Sequence, residues 1–349
     1  MEGGFDSERA ERFAEQMLGA LNGAALGLMT SVGHRTGLFD VMRDLAPAGP
    51  TEIAKRAGLV ERYVREWLGA MTTAGVVEHD PAAGSFRLPG EHAAVLARAS
   101  RPNNLAATFQ WIPLLGSVED EIVRCFERDG GVPYSSYRRL HAVMAEESDQ
   151  TVVAGLLEHI LPLVPALPAA LARGADVLDV GCGNGRALAR MAGAFPSSRF
   201  LGVDPSERAI ESARREARSL RLGNLRFEAR DVAVLDEPDR FDLITAFAIQ
   251  HQAAPAAVLA SIASALRPDG VFLMQDSAGT GAVAEDAAHP LATFLYTVSC
   301  LHRTSVCTLW GRRAAPRLLA EAGFGSVEAQ ALPHDPLHLY YVARKARAL

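Results

Sequence analysis

The sequence predicts an α/β protein: a mostly parallel seven-stranded sheet occupies the second half, and an N-terminal helical domain of winged-helix pattern precedes it. Three observations carry this. From residue 175 onward, short apolar runs alternate with amphipathic helical stretches, which is the signature of a parallel sheet covered on both faces. Residues 50–88 read as two short helices followed by a hairpin. And 349 residues are too many for one ordinary core, so more than one domain is expected.

The chain divides into sections 1–100, 101–170 and 171–349. The first residues, MEGGFDSERAERFAEQ, carry acids where a secretory signal needs a basic region. Gln16 to Val32 has no formal charge, but it is short for a membrane span and contains Asn22, Thr30 and Ser31. It reads as a buried helix. Gly19, Gly23 and Gly27 share one face of it at i, i+4 and i+8, which lets another backbone approach closely. A subunit or domain contact, hence a homodimer, is the expectation.

PTEIAKRAGL (Pro50 to Leu59) and VERYVREWLGAMTTAGVV (Val60 to Val77) give two helices joined at Gly58. Ile53, Ala57, Val64, Trp67, Leu68 and Met71 form their apolar face. EHDPAAGSFRL, Glu78 to Leu88, gives strand, turn and strand. Arg62 and Arg65 would lie on the recognition helix of such a domain. Yet residues 1–100 hold ten Lys/Arg against thirteen Asp/Glu, and the whole chain carries a net charge of -6. Duplex binding relies on neutralising several phosphates, so nucleic acid is not the expected partner. Section 101–170 is helical around ERDGGVPYSSY, a turn that places Tyr134, Ser135, Ser136 and Tyr137 on a loop able to cover a neighbouring site.

In section 171–349 the strands are VLDV, RFLGVD, LRFEARD, FDLITAFAI and GVFLMQD, with helices RALARMAGAF, ERAIESARREARSL, PAAVLASIASAL and APRLLAEAG among them. SVEAQAL and LHLYYVARK then form an antiparallel pair at the sheet edge across the turn PHDP. Cys125, Cys182, Cys300 and Cys307 form no CxxC pair, so neither structural zinc nor a disulfide framework is expected, and a cytoplasmic location is the simplest.

Ligands of open α/β sheets bind outside the carboxyl ends of the strands. Gly181, Gly183 and Gly185 fall there, in VLDVGCGNGRAL. A phosphate loop of the GxxxxGK[ST] type is absent, and the spacing Asp179-Val180-Gly181-Cys182-Gly183-Asn184-Gly185 differs from the dinucleotide GxGxxG. Asp204, nineteen residues beyond Gly185 at the end of strand two, can accept both hydroxyls of a ribose. Asp231, ending strand three beside Val232, can meet an adenine amino group. Three acids at successive strand ends suit a nucleoside or a cationic ligand and would repel a pyrophosphate.

With these residues in view, VLDVGCGNG, GVDPS, ARDVA and LRPDGVFLM resemble the motifs of class I S-adenosylmethionine-dependent methyltransferases over residues 150–349. ERYVREWLGAM and HPLATFLYT extend the likeness to a bacterial subgroup with an N-terminal winged helix. The resemblance implies a Rossmann-like fold, S-adenosylmethionine as cofactor, S-adenosylhomocysteine as product and a small-molecule acceptor with an O, S or N nucleophile. It places Asp179 and Gly181 near the methionine end, and Asp204, Asp231, Val232 and Phe247 around the nucleoside.

In AIQHQAAP after strand four, plant-type O-methyltransferases, which this region resembles, place a catalytic His-Asp pair. Here Gln250 aligns with that histidine and His251 with the aspartate, so His251 is the candidate base, displaced by one residue. His289, Tyr296 and His302 on or near the later apolar helix are candidate acceptor contacts, with Gln250, Tyr134 and Tyr137. The spacing of His251, His289 and His302 defines no metal site, and none is expected. Two other readings fit the motifs: a transcriptional regulator that senses the cofactor, and a cofactor-binding protein without catalysis.

Overall fold

The computed structural model describes residues 5–102, 104–128, 130–231, 233–247, 255–301 and 311–345. Two compact units result. The first runs up to Ser117 and adds Tyr137–Glu147; the second comprises Val118–Ser136 and Ser148 onward. Section 101–170 of the sequence therefore contributes to both.

The first unit opens with a 30-residue helix, α1 (Ser7–Thr36), capped by the Asp6 carboxylate at one end and by left-handed Gly37 at the other. Then come α2 (Leu38–Arg43), α3 (Pro50–Ala57) and α4 (Glu61–Thr73), with Pro50 at the start of α3 and left-handed Gly58 at its end. The wing is β1 (Glu78–Asp80) paired antiparallel with β2 (Ser85–Arg87). Ile53, Val64, Trp67, Leu68 and Met71 are buried as their helical spacing requires, and Ala57 packs against them. Trp67 donates its indole N–H to the Met29 carbonyl at 2.9 Å and meets Phe39 edge-on.

The glycines of α1 differ in what surrounds them within the chain. No described atom lies within 4 Å of a side chain placed at Gly19 or Gly23, and one at Gly27 meets only Phe109 and Ile112. Close approach occurs at Gly33 instead, where a Cβ would stand 2.6 Å from the Trp67 ring. The sequence shows which residues are small but not which of them meets a large neighbour.

The second unit holds a seven-stranded sheet in the order β5-β4-β3-β6-β7-β9-β8. Its members are β3 (Asp176–Val180), β4 (Arg199–Asp204), β5 (Leu225–Ala229), β6 (Phe241–Ala246), β7 (Leu266–Ser277), β8 (Phe324–Leu332) and β9 (Asp335–Lys345). The first five are mutually parallel; β9 is antiparallel to both β7 and β8. Strand β7 begins at Leu266, earlier than the apolar run alone suggests, because Leu266 pairs with Phe241 across a register shift. Alternation sorts the side chains into two apolar cores. Leu178, Val180, Ile244, Phe272 and Met274 enter one, and Val177, Leu243, Val271, Leu273, Tyr340 and Val342 the other.

Among the described residues no single helix is long and apolar enough to cross a membrane. The exposed apolar side chains of α1 (Phe13, Met17, Leu18, Leu21 and Leu28) are a property of the first unit alone.

Candidate cofactor site

The site lies where β3 ends. Val180 closes the strand, and Gly181, Gly183 and Gly185 follow with φ of 74°, 52° and 72°, a left-handed conformation that costs a residue with Cβ about 1–2 kcal/mol each. The amides of Gly181 and Cys182 both donate to the Val203 carbonyl, at 2.9 and 3.1 Å, stitching the loop to the end of β4. The three glycines serve two purposes. No described atom lies within 4 Å of a Cβ placed at Gly181 or Gly183, so the space above them is open. A Cβ at Gly185 would stand 2.3 Å from the Phe227 ring and 3.0 Å from Ala213, so this glycine packs the loop down onto the sheet. Gly185→Ala therefore combines overpacking with left-handed strain and is expected to cost about 3 kcal/mol or more, read as a lowered denaturation midpoint.

Asp204 holds the loop from β4. Its Oδ2 accepts from the Gly183 amide at 2.9 Å and its Oδ1 from the Ser206 amide at 2.8 Å. Ser206 in turn caps the helix Glu207–Ser219. Asp204 is half-buried, and each of its oxygens keeps acceptor capacity beyond these bonds.

Asp179 sits one strand over and is only 4% exposed. Thr245 of β6 donates its hydroxyl to Asp179 Oδ1 at 2.6 Å. Burial pushes the Asp179 carboxyl up to about 7, against the Thr245 hydrogen bond and with a smaller push from the Asp204 charge. Such an acid calls for a cationic partner. Thr245 escaped sequence reasoning; the hint was a lone hydroxyl inside the apolar run FDLITAFAI. Cys182 is no nucleophile, because burial first, then the Asp179 and Asp204 charges, push its thiol far up.

A second omission is a π-helical segment tied to the helix that follows the loop. Residues Asp149–Val153 and Leu156–Ile160 are π-helical, a winding frequent at functional sites. Asp149 pairs with Arg186, the first residue of the helix that leaves the loop. This bond ties the start of that helix to the π-helical segment. Gln150 is buried with its Oε1 lacking a partner among the described residues.

The remaining sequence-selected residues scatter. Asp231 is exposed, and its carboxylate accepts from the Ala233 amide at 2.9 Å. Phe247 is half-buried against the core that holds Leu243 and Tyr340. His289 accepts from the Leu291 amide at 3.1 Å, capping the helix Ala292–Leu301. Tyr296 donates to Asp286 at 3.0 Å and borders a shallow depression of about 470 Å³ with Val283, Ala287 and Thr293. Tyr134 begins a 3₁₀ turn in the second unit, whereas Tyr137 is buried in the first. Val232, Gln250, His251 and His302 lie outside the described residues. No group of three metal-ligating side chains occurs among the described residues.

Comparison with known proteins identifies two domains. Residues 24–98 match the Rv2258c-like winged HTH domain, and residues 171–323 match a methyltransferase domain. A ubiquinone biosynthesis O-methyltransferase of Neisseria meningitidis is 35% identical over 105 residues, which is 28% of this chain and 42% of that protein. The chain thus spans under half the length of this curated relative. Among solved structures, a candidate O-methyltransferase of Nostoc punctiforme superposes with a TM-score of 0.73 at 16% identity, covering 95% of this chain and 98% of that one. Human N-acetylserotonin methyltransferase in complex with its methyl donor does so with a TM-score of 0.70, also at 16% identity, covering 99% of each chain. At such identities these two show a shared fold. With both domain models matched in order, the chain carries an N-terminal Rv2258c-like winged HTH domain followed by a methyltransferase domain.

Proposed function

We propose that this protein transfers a methyl group from S-adenosylmethionine to a small-molecule acceptor through an O, S or N nucleophile. The observation that carries the reading is the open glycine loop between two acids of different character. Asp204, half-exposed at the end of β4, suits a ribose, and buried Asp179, its carboxyl pushed up to about 7 and so ready to ionise beside a cation, suits the positive end of the cofactor. Asp231, Val232 and Phe247 complete the proposed nucleoside pocket. The cofactor supplies an activated sulfonium methyl; the chain's own task is to align the acceptor and exclude water, which can contribute roughly 7–11 kcal/mol. The test is incubation with methyl-labelled S-adenosylmethionine and pooled small-molecule acceptors. Label should appear in an acceptor, with S-adenosylhomocysteine in equal amount; product formation equal to a protein-free control would end the proposal.

His251 is the proposed base, on its place in the sequence after β6. His251→Ala should lower turnover by about 10²–10⁴-fold with cofactor affinity retained, in the range of general-base catalysis. An unchanged rate would remove His251 from the mechanism. Gln250, His289, Tyr296, His302, Tyr134 and Tyr137 are proposed to border the acceptor.

We further propose a cytoplasmic homodimer formed through α1, whose exposed Phe13, Met17 and Leu21 recur at i, i+4 and i+8. Sedimentation should report a dimer in the wild type and a monomer when Met17 and Leu21 are replaced by Glu.

A further inference from the structure

At the outer edge of the sheet a groove of about 560 Å³ runs between the helix Glu207–Ser219 and β5. Four arginines line it, Arg214, Arg218, Arg221 and Arg226, against one acid, Glu228, in a chain whose net charge is -6. Ala217 and Leu225, each 7% exposed, form its apolar floor with half-buried Leu222, while all four arginines are exposed around them. The turn from the helix into β5 lies at the amino end of that strand, whereas the glycine loop follows the carboxyl end of β3. Because β3, β4 and β5 are parallel, the groove starts at the opposite end of the sheet from the cofactor site.

The four guanidiniums come from three kinds of backbone. Arg214 and Arg218 stand at i and i+4 of the helix, so both project from one face. Arg221 sits in the turn with φ of 55°, a left-handed conformation more often given to glycine. Arg226 is exposed on β5 between buried Leu225 and Phe227. Arg214 is already fixed, its Nε and Nη2 both donating to the Phe227 carbonyl, at 3.1 and 2.7 Å. That acceptor is neutral, so the arginine keeps its charge uncompensated. Arg218, Arg221 and Arg226 form no ion pair among the described residues. Glu228 stands 3.3 Å from Arg230. Like charges held around one groove repel one another, and an anion among them relieves that repulsion.

Two features select the anion. In the sheet order β5 is the outermost strand, and the Arg214 guanidinium occupies the Phe227 carbonyl at its free edge. A further strand would need that carbonyl, so addition of an extended peptide is blocked and recognition falls to side chains. Guanidinium forks match phosphate oxygens in pairs, and a phosphomonoester carries about -1.5 to -2 charge at pH 7, more than one carboxylate. The apolar floor suits an uncharged body, and the groove has the size of a small-molecule pocket.

We propose that this groove binds a phosphomonoester carried on an apolar body, at a site separate from that of the methyl donor. The phosphate lies among Arg218, Arg221 and Arg226, and the body rests on Ala217 and Leu222.

The test titrates the full chain by calorimetry with 1-naphthyl phosphate and, in parallel, with 1-naphthol, inorganic phosphate and a hexaglutamate peptide. 1-Naphthyl phosphate should bind about tenfold or more tighter than each of the others, and more weakly as salt is raised. Arg218→Ala and Arg226→Ala should each weaken it about tenfold or more, the effect of one charged hydrogen bond, with the denaturation midpoint retained. Arg62→Ala, which removes an exposed arginine of the first unit, should leave it unchanged. Saturating S-adenosylhomocysteine should not displace it. Absence of binding, wild-type affinity in both groove variants, displacement by S-adenosylhomocysteine, or equal affinity for 1-naphthol or inorganic phosphate overturns the proposal. Hexaglutamate bound as tightly, with the same loss in the groove variants, overturns it in favour of an acidic protein segment.

Discussion

Asp204→Ala should weaken S-adenosylmethionine binding by about two orders of magnitude in calorimetry. Two losses combine. Each charged hydrogen bond from the carboxylate to a ribose hydroxyl contributes about 1.5–3 kcal/mol. The same carboxylate also holds the Gly183 and Ser206 amides, so its removal releases the loop that the cofactor must find already formed. Asp204→Asn separates the two, since its amide oxygen accepts one of these bonds and its NH₂ cannot accept the other. It should retain more of the thermal stability than Ala and still bind weakly. Wild-type affinity in the Ala variant would remove Asp204 from the site.

The second large effect is on pH. With the Asp179 carboxyl near 7 in the empty protein, the folded state binds a proton there that the unfolded chain gives up near 4. Between those values the folded state carries the extra proton, so the empty protein loses stability as pH rises. A cationic cofactor reverses the preference, because it favours the ionised acid. Affinity should therefore increase with pH up to about 7 and then level, falling by about tenfold for each unit below. Binding in the lower range should release a proton, detected as a heat that varies with the ionisation enthalpy of the buffer. Asp179→Asn should bind weakly and without this pH dependence. A persistent slope in that variant would assign it to another group.

The strands and the glycine loop were legible because both rest on short-range order. Strand β4 occupies the stretch RFLGVD as read, and the glycine loop with Asp179 and Asp204 comes from strand ends whose spacing along the chain is fixed by one helix. What escaped the sequence depends on partners far apart in the chain. Asp179 finds Thr245 sixty-six residues away, and Arg186 finds Asp149 thirty-seven residues back. Nothing in the spacing of α1's glycines distinguishes Gly19, which meets no described residue, from Gly27, which meets Phe109; that difference is made by the helices that pack against α1. The turn PHDP reads in the sequence as an edge hairpin and no more, since only the antiparallel return of β9 brings it level with the end of β7.

That return also shapes how such a protein can change over generations. The Pro333–His334 turn is reached late in the chain, and its hydrogen bonds run to Gln275, Thr151 and the hairpin itself, not to the glycine loop. Substitutions at positions 333–338 fall on these bonds and not on the amide bonds that hold the loop after β3, so hairpin and loop can vary under separate constraints.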